Sequence, residues 1–259
     1  MLIRRTISLT AASALVLGVA TSVPPASSAG VSYDRTVLAA RPVAYFDVDG
    51  STTRDLTGHG HRLTYHGGPG TTRLPNGAPA MRLDGKNDYA EIADASDLSV
   101  RRRTLSIEAW VRVGDLNNER VDQGEYVHWL GKGGARGQEY AFRMYNDATQ
   151  RSSRVSAYVF NRGGGYGSGS YFEDDLRAGQ WMHVGAVFDG KRGRVRIYRD
   201  GVRRDSDGFE SVRPTNGGAP LRVGTRQMTS FFQGAVAKLA IYNYDASGTF
   251  RAHVRKMRR

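Results

Sequence analysis

Hydrophobic and polar positions alternate with a period of two along much of this chain. Leu105, Ile107, Ala109, Val111 and Val113 fall on one side, while Ser106, Glu108, Trp110 and Arg112 fall on the other. That spacing predicts a half-buried strand rather than a helix. Shorter runs of the same kind predict strands at 43–48, 80–83, 89–92, 126–130, 140–145, 155–160, 181–188, 194–199, 221–223 and 235–242. Glycine-containing turns separate them, and Asp200-Gly201 marks a tight hairpin because glycine accepts the positive φ such a turn needs. Gly131–Gly137 and Gly163–Gly169 read as glycine-rich connections, the second as a flexible loop. Only 245–256 reads as a helix, running into a frayed basic tail at 255–259. Strands about ten residues apart, with no amphipathic helices between them, predict an all-β fold. The expected architecture is a two-sheet antiparallel jelly-roll sandwich with a short C-terminal helix.

The first residues break this pattern. Arg4 and Arg5 precede a largely apolar or small stretch from Ile7 to Ala20, and Ser27-Ser28-Ala29 offers a cleavage site. Residues 1–29 are therefore expected to be a signal peptide, too short and too interrupted to be a membrane span. The paired arginines leave ordinary and twin-arginine export both open. The expected organisation is a lead-in at 30–41, one jelly-roll domain at 42–247, and a short helix with basic tail at 248–259. No membrane span is expected once the signal is removed.

Composition narrows the chemistry. The 259 residues include no cysteine, so a core or a metal must hold an exported chain together, and a thiol nucleophile is excluded. The formal charge is +12, from 37 basic and 25 acidic residues, and only five of the basic ones are lysine. This surplus fits attraction to anionic polymers, simple solubility, or an arginine-biased composition. Export and the absence of a nucleic-acid motif argue against nucleic acid as a partner. The six histidines show no zinc-protease spacing, and no Gly-x-Ser-x-Gly elbow is present. The one dense acidic run, Glu173-Asp174-Asp175, places neighbours on opposite sides of a strand and reads as a solvated loop.

Candidate binding chemistry gathers in the middle of the chain. Arg143 and Tyr145 share one face of their strand, as do Tyr158 and Phe160. Asn161, Trp129 and the loop around Tyr166 lie nearby in sequence. Rings that stack on sugar faces, beside Arg and Asn groups that take hydroxyls or carboxylates, suit glycan recognition. Arg143, Tyr145, Tyr158, Asn161 and His128 are also the residue types a polysaccharide lyase uses as base and charge neutraliser. A sandwich core needs aromatics as well, so a packing role stays open for the rings.

Several segments together resemble a known family. These are Asp55-Leu56-Thr57-Gly58-His59-Gly60, Leu83-Asp84-Gly85-Lys86-Asn87-Asp88-Tyr89-Ala90-Glu91-Ile92, Ile107-Glu108-Ala109-Trp110-Val111, Trp181-Met182-His183-Val184-Gly185, the Tyr198-Arg199-Asp200-Gly201 hairpin and Gly234 to Asn243. In this order they resemble the laminin-G-like jelly roll of the concanavalin A-like lectin/glucanase superfamily, in its bacterial secreted form, over residues 42–254. The resemblance implies the sandwich and a possible Ca²⁺ site, with Asp55 and the carbonyls near Gly58 as its loop half. Ala237 and Lys238 stand where the family often has acids, which is poor for a cation. It also implies that Glu108, Trp181 and His183 are structural. Fold alone does not fix function. The expected function is that of a secreted, non-catalytic binding module recognising a carbohydrate or other extracellular ligand on the concave face, an anionic glycan being one candidate. The alternatives are a small polysaccharide lyase or hydrolase acting on an acidic glycan, and a structural or adhesion module. Oligomeric state is left open.

Overall fold

The computed structural model describes residues 28–100, 103–116, 126–134, 137–146, 151, 153–161, 167–209, 214 and 217–258. Nearly all of the expected signal peptide lies outside them. Among the described residues there are fifteen strands and two α-helices. In chain order the strands are β1 (Ala44–Phe46), β2 (Leu63–His66), β3 (Gly70–Arg73), β4 (Pro79–Asp84), β5 (Tyr89–Ile92), β6 (Thr104–Val113), β7 (Tyr126–Lys132), β8 (Tyr140–Tyr145), β9 (Val155–Val159), β10 (Ser168–Phe172), β11 (Trp181–Asp189), β12 (Arg194–Arg199), β13 (Val202–Gly208), β14 (Leu221–Val223) and β15 (Gln233–Tyr242). The helices are α1 (Ser28–Ala39) and α2 (Ser247–Met257).

The strands form two antiparallel sheets, and the fold is the expected jelly-roll sandwich. The first sheet runs β13-β12-β11-β6-β15-β4-β3, with β1 also paired to β15; the second runs β10-β9-β8-β7-β14-β5-β2. The main core lies between them. It takes Leu105, Ile107, Ala109, Val111 and Val113 from β6, and Tyr140, Phe142 and Met144 from β8. The two edge strands β10 and β13 are stitched together where the Asp205 carboxylate accepts hydrogen bonds from Ser170 Oγ and Tyr171 N, both at 3.0 Å.

The other face of β6 is buried too, which the alternation did not predict. Two helices cover it. In α2, Phe250, His253, Val254 and Met257 are buried, at the i, i+3, i+4, i+7 spacing of an apolar helix face. Met257 is buried, so the expected fraying at 255 does not occur; Arg255 and Lys256 complete the last turn, where cations favour the helix dipole. The expected lead-in at 30–41 is also different: it is mostly α1, whose Tyr33 and Val37 pack with Trp110, Tyr242 and Phe250 in a second core. Trp110 Nε1 donates to the Tyr33 hydroxyl at 3.1 Å. Arg41, in a left-handed conformation, and Pro42 end the helix. No helix among the described residues is long and apolar enough to cross a membrane.

Candidate functional site

Among the described residues both helices pack on the first sheet, and the side chains on the outer face of the second follow from strand alternation. Core residues Phe142 and Met144 on β8, and Val155, Ala157 and Val159 on β9, point inward. Arg143, Tyr145, Ser156 and Tyr158 must then point outward. They line a cleft of about 630 Å³ together with Tyr126, Arg154, Phe160 and Tyr171. Register aligns some of these groups across the strands: His128 lies opposite Arg143, Arg143 opposite Ser156, and Ser156 opposite Tyr171.

Arg143 is the centre of this arrangement. It is only 7% exposed. Its guanidinium carbon lies 4.2 Å from the ring centroid of Tyr126, 4.1 Å from Tyr158 and 5.3 Å from Phe160. Rings stabilise the cation on its faces, so its in-plane N–H groups are what remain for a partner. Tyr158 is itself fixed, since its hydroxyl donates to Gly167 O at 2.8 Å and accepts from Gly167 N at 3.1 Å. Gly169 makes room for that ring: a Cβ there would stand 2.4 Å from Tyr158 Cδ2. Arg154 covers the Tyr171 ring at 4.0 Å and is paired with Glu173.

Buried polar atoms without protein partners collect on this face. Both ring nitrogens of His128, Nε of Arg143, Oγ of Ser156, and Nε and Nη1 of Arg226 have none. Leaving such atoms unpaired costs about 1–3 kcal/mol each, and concentrations of them call for an explanation such as a bound group. Burial, then Arg226 and Arg143, push the His128 imidazole well below its ordinary pKa. Burial and the neighbouring Arg143 likewise push Arg226 down to about 10, Tyr126 acting the other way.

Of the residues expected from sequence, the structure brings Arg143, Tyr145 and Tyr158 together in the cleft. Trp129 is a correction. A bulge between His128 and Leu130 turns Trp129 and Leu130 both inward, and the indole is fully buried against Phe142 in the intersheet core. Asn161 follows β9 and is half-buried outside the cleft lining. Tyr166 lies outside the described residues. The sequence reading missed Tyr126, Arg154, Ser156 and Tyr171 as lining residues. Stepping back by two from Tyr158 reaches Ser156 and Arg154, so strand alternation alone could have found two of them.

The expected calcium ligands are differently employed. Asp55 is buried; its Oδ1 accepts from Tyr45 N at 3.1 Å and Thr57 N at 2.9 Å, and Thr57 Oγ1 reaches both carboxylate oxygens. On the last strand, buried Lys238 places its ammonium 2.8 Å from Asp34 and against Asp47. No group of three or more acidic or histidine side chains among the described residues is spaced to hold a metal. These side chains do not fit a calcium ion: the aspartate is committed to its own turn, and a fixed ammonium already pairs with the two other acids.

On the far side of the molecule, Glu108 is fully buried beneath α2. Its Oε2 is 2.6 Å from His183 Nε2, and its Oε1 is 2.8 Å from His253 Nδ1 and accepts from the Tyr242 hydroxyl at 2.5 Å. Burial pushes the carboxyl up, but hydrogen bonds and charge from His183 and His253 outweigh it and hold it down at about 2. This cluster is closed to solvent and joins β6, β11, β15 and α2, a structural role as expected for Glu108 and His183. Trp181 is half-exposed at the end of β11 and donates to Arg73 O at 3.0 Å.

Two packed antiparallel sheets, with an aromatic-lined cleft on the outer face of the second, define a jelly-roll sandwich. A family model for the concanavalin A-like lectin/glucanases superfamily matches residues 84–249, and the chain belongs to that superfamily. No curated protein matches it. Among solved structures it is similar to domain 4 of AbnA, an extracellular arabinanase from Geobacillus stearothermophilus solved in complex with arabinotriose. That match has 18% identity and a TM-score of 0.62, covering 82% of this chain and 98% of that one. It is also similar to the binding domain of botulinum neurotoxin serotype D, with 9% identity, a TM-score of 0.65, and coverage of 85% of this chain but 52% of that one. The binding domain of Paraclostridial Mosquitocidal Protein 1 gives 14% identity and a TM-score of 0.64, covering 82% and 51%. This chain thus spans about half of each toxin domain.

Proposed function

We propose that this chain is a secreted, non-catalytic binding module that holds an acidic extracellular glycan in the cleft on the outer face of the second sheet. The observation that carries this reading is the ring-covered guanidinium of Arg143, with unpartnered Nε, beside the unpartnered Ser156 Oγ. A planar cation covered on its faces offers in-plane donors, the geometry that suits a carboxylate taken by a fork of parallel hydrogen bonds. Exposed Tyr171 and half-buried Tyr158 supply ring area for sugar faces. The arabinotriose complex of the arabinanase domain supports a carbohydrate as the ligand class. The signal-like first residues support export.

The test is retention of the mature chain on an immobilised uronate polymer, with and without salt. Wild type is retained and released by salt, and the ultraviolet absorbance of an unsaturated product does not rise. Arg143→Ala weakens binding roughly tenfold to hundredfold, as expected for loss of a hydrogen bond to a charged group. If Arg143→Ala and Tyr158→Ala bind like wild type while the double variant Arg255→Gln/Lys256→Gln, which keeps the buried Met257, abolishes retention, the basic last turn of α2 is the binder and the cleft is not.

A further inference from the structure

A second guanidinium stands beside the first with no assigned task. Arg226 leaves β14 on a connection that crosses the bare face of the second sheet. It is 5% exposed. Its Nη2 donates to Gln227 Oε1, while Nε and Nη1 have no partner. Its guanidinium carbon lies 4.8 Å from the centroid of Phe160, the same ring that Arg143 approaches to 5.3 Å. Two cations therefore flank one ring. The acids at hand are engaged elsewhere: Glu91 pairs with Arg222 at 2.8 Å, and Glu173 pairs with Arg154. Neither Arg143 nor Arg226 has an ion-pair partner among the described residues.

This position is built rather than incidental. Gly131 on β7 leaves a seat for the Arg226 stem, because a Cβ there would stand 2.8 Å from Arg226 Cγ and 2.9 Å from its Cβ. The connection that delivers Arg226 holds Met228 at φ 67° and Ser230 at φ 51°, left-handed conformations that non-glycine residues adopt at a cost. Backbone strain and two buried, unpaired, mutually repelling cations all weaken the fold. A ligand carrying negative charge relieves the repulsion and fills the unpaired donors together. His128 adds no third charge at neutral pH, because burial and the two guanidiniums hold its pKa well below the ordinary value.

We infer that Arg226, seated against the cleft-lining Phe160, is a second anion-binding group beside that cleft, and that the ligand is a glycan presenting two acidic groups close together, one to Arg143 and one to Arg226. This rests on the glycan reading above and names its ligand more narrowly. A carboxylate or a sulfate ester meets the chemistry equally, since both offer paired oxygens to a guanidinium.

The experiment is calorimetric titration of the mature chain with a uronate disaccharide bearing two carboxylates, the same disaccharide with one carboxyl reduced to the alcohol, and a disulfated disaccharide. Wild type prefers a two-acid ligand over the one-acid ligand roughly tenfold or more. Arg226→Met abolishes that preference and raises Tm by several degrees, because it removes a buried charge with no ion-pair partner among the described residues. Arg226→Lys keeps part of the preference. Tighter binding of the disulfated than of the dicarboxylated ligand would identify sulfate as the source of charge. The inference is overturned if wild type binds one-acid and two-acid ligands equally, or if Arg226→Met lowers Tm and weakens all ligands alike, as a structural arginine would. Should wild type bind none of the three, the glycan reading fails as well.

Discussion

Replacing Glu108 by Gln tests how the helix-covered side of the sandwich is held. The carboxylate is fully buried, and His183, His253 and Tyr242 all hydrogen-bond to it. It is held at about 2, against an ordinary value of 4.5. At about 1.36 kcal/mol per pH unit, that depression amounts to about 3 kcal/mol of folding free energy at neutral pH. The sign follows from the direction: a depressed carboxyl stabilises the fold fully above its unfolded value, and the contribution is lost as pH falls toward about 2. By linkage, a little under half of it is left at pH 3, about 1.4 kcal/mol. Urea unfolding followed by tryptophan fluorescence should show Glu108→Gln about 3 kcal/mol less stable than wild type at pH 7, within the range for breaking a buried ion pair. The gap should narrow to roughly half at pH 3. A variant within 1 kcal/mol of wild type at pH 7, or a gap as large at pH 3 as at pH 7, would refute the argument that charge in this cluster stabilises the fold.

Other outcomes are as definite. Gly169→Ala should drive the Tyr158 ring from its seat, since the new methyl would lie 2.4 Å from Cδ2; glycan affinity should drop while far-ultraviolet circular dichroism is retained. Lys238→Met leaves Asp34 and Asp47 facing each other without a cation and should cost about 3–5 kcal/mol in urea titrations. A chelator should leave the wild-type Tm unchanged, because a lysine ammonium already stands between those acids; a drop of several degrees would show that a metal is held after all.

Much of this fold is legible from alternation, and the failures have physical causes. The long strands β6, β11 and β15 announce themselves because each sends an apolar face into the intersheet core. The strand β13, Val-Arg-Arg-Asp-Ser-Asp-Gly, carries no apolar stripe because it is an exposed edge strand held by backbone pairing and Asp205. The strand β10 hides in a glycine-rich stretch because its Gly169 makes room for Tyr158. Helix α1 was invisible because its few buried positions, Tyr33 and Val37, lie in a short segment whose partners are distant in sequence. In the cleft, Arg143 and Tyr158 could be read from strand parity, but Trp129 could not, since one bulged residue reverses which way it points. Arg226 had no signal at all, because its place depends on a glycine 95 positions earlier and on a connection whose path no local pattern specifies.

Both helices lie on the first sheet, whereas the cleft opens on the second, so residues 28 and 258 are across the sandwich from that cleft. Anything joined next to residue 28 or 258, whether a resin linker, a fluorescent reporter or another folded unit, would meet the first sheet's side of the sandwich rather than the cleft. The molecule is oriented like a hand held by the wrist, with its palm turned outward.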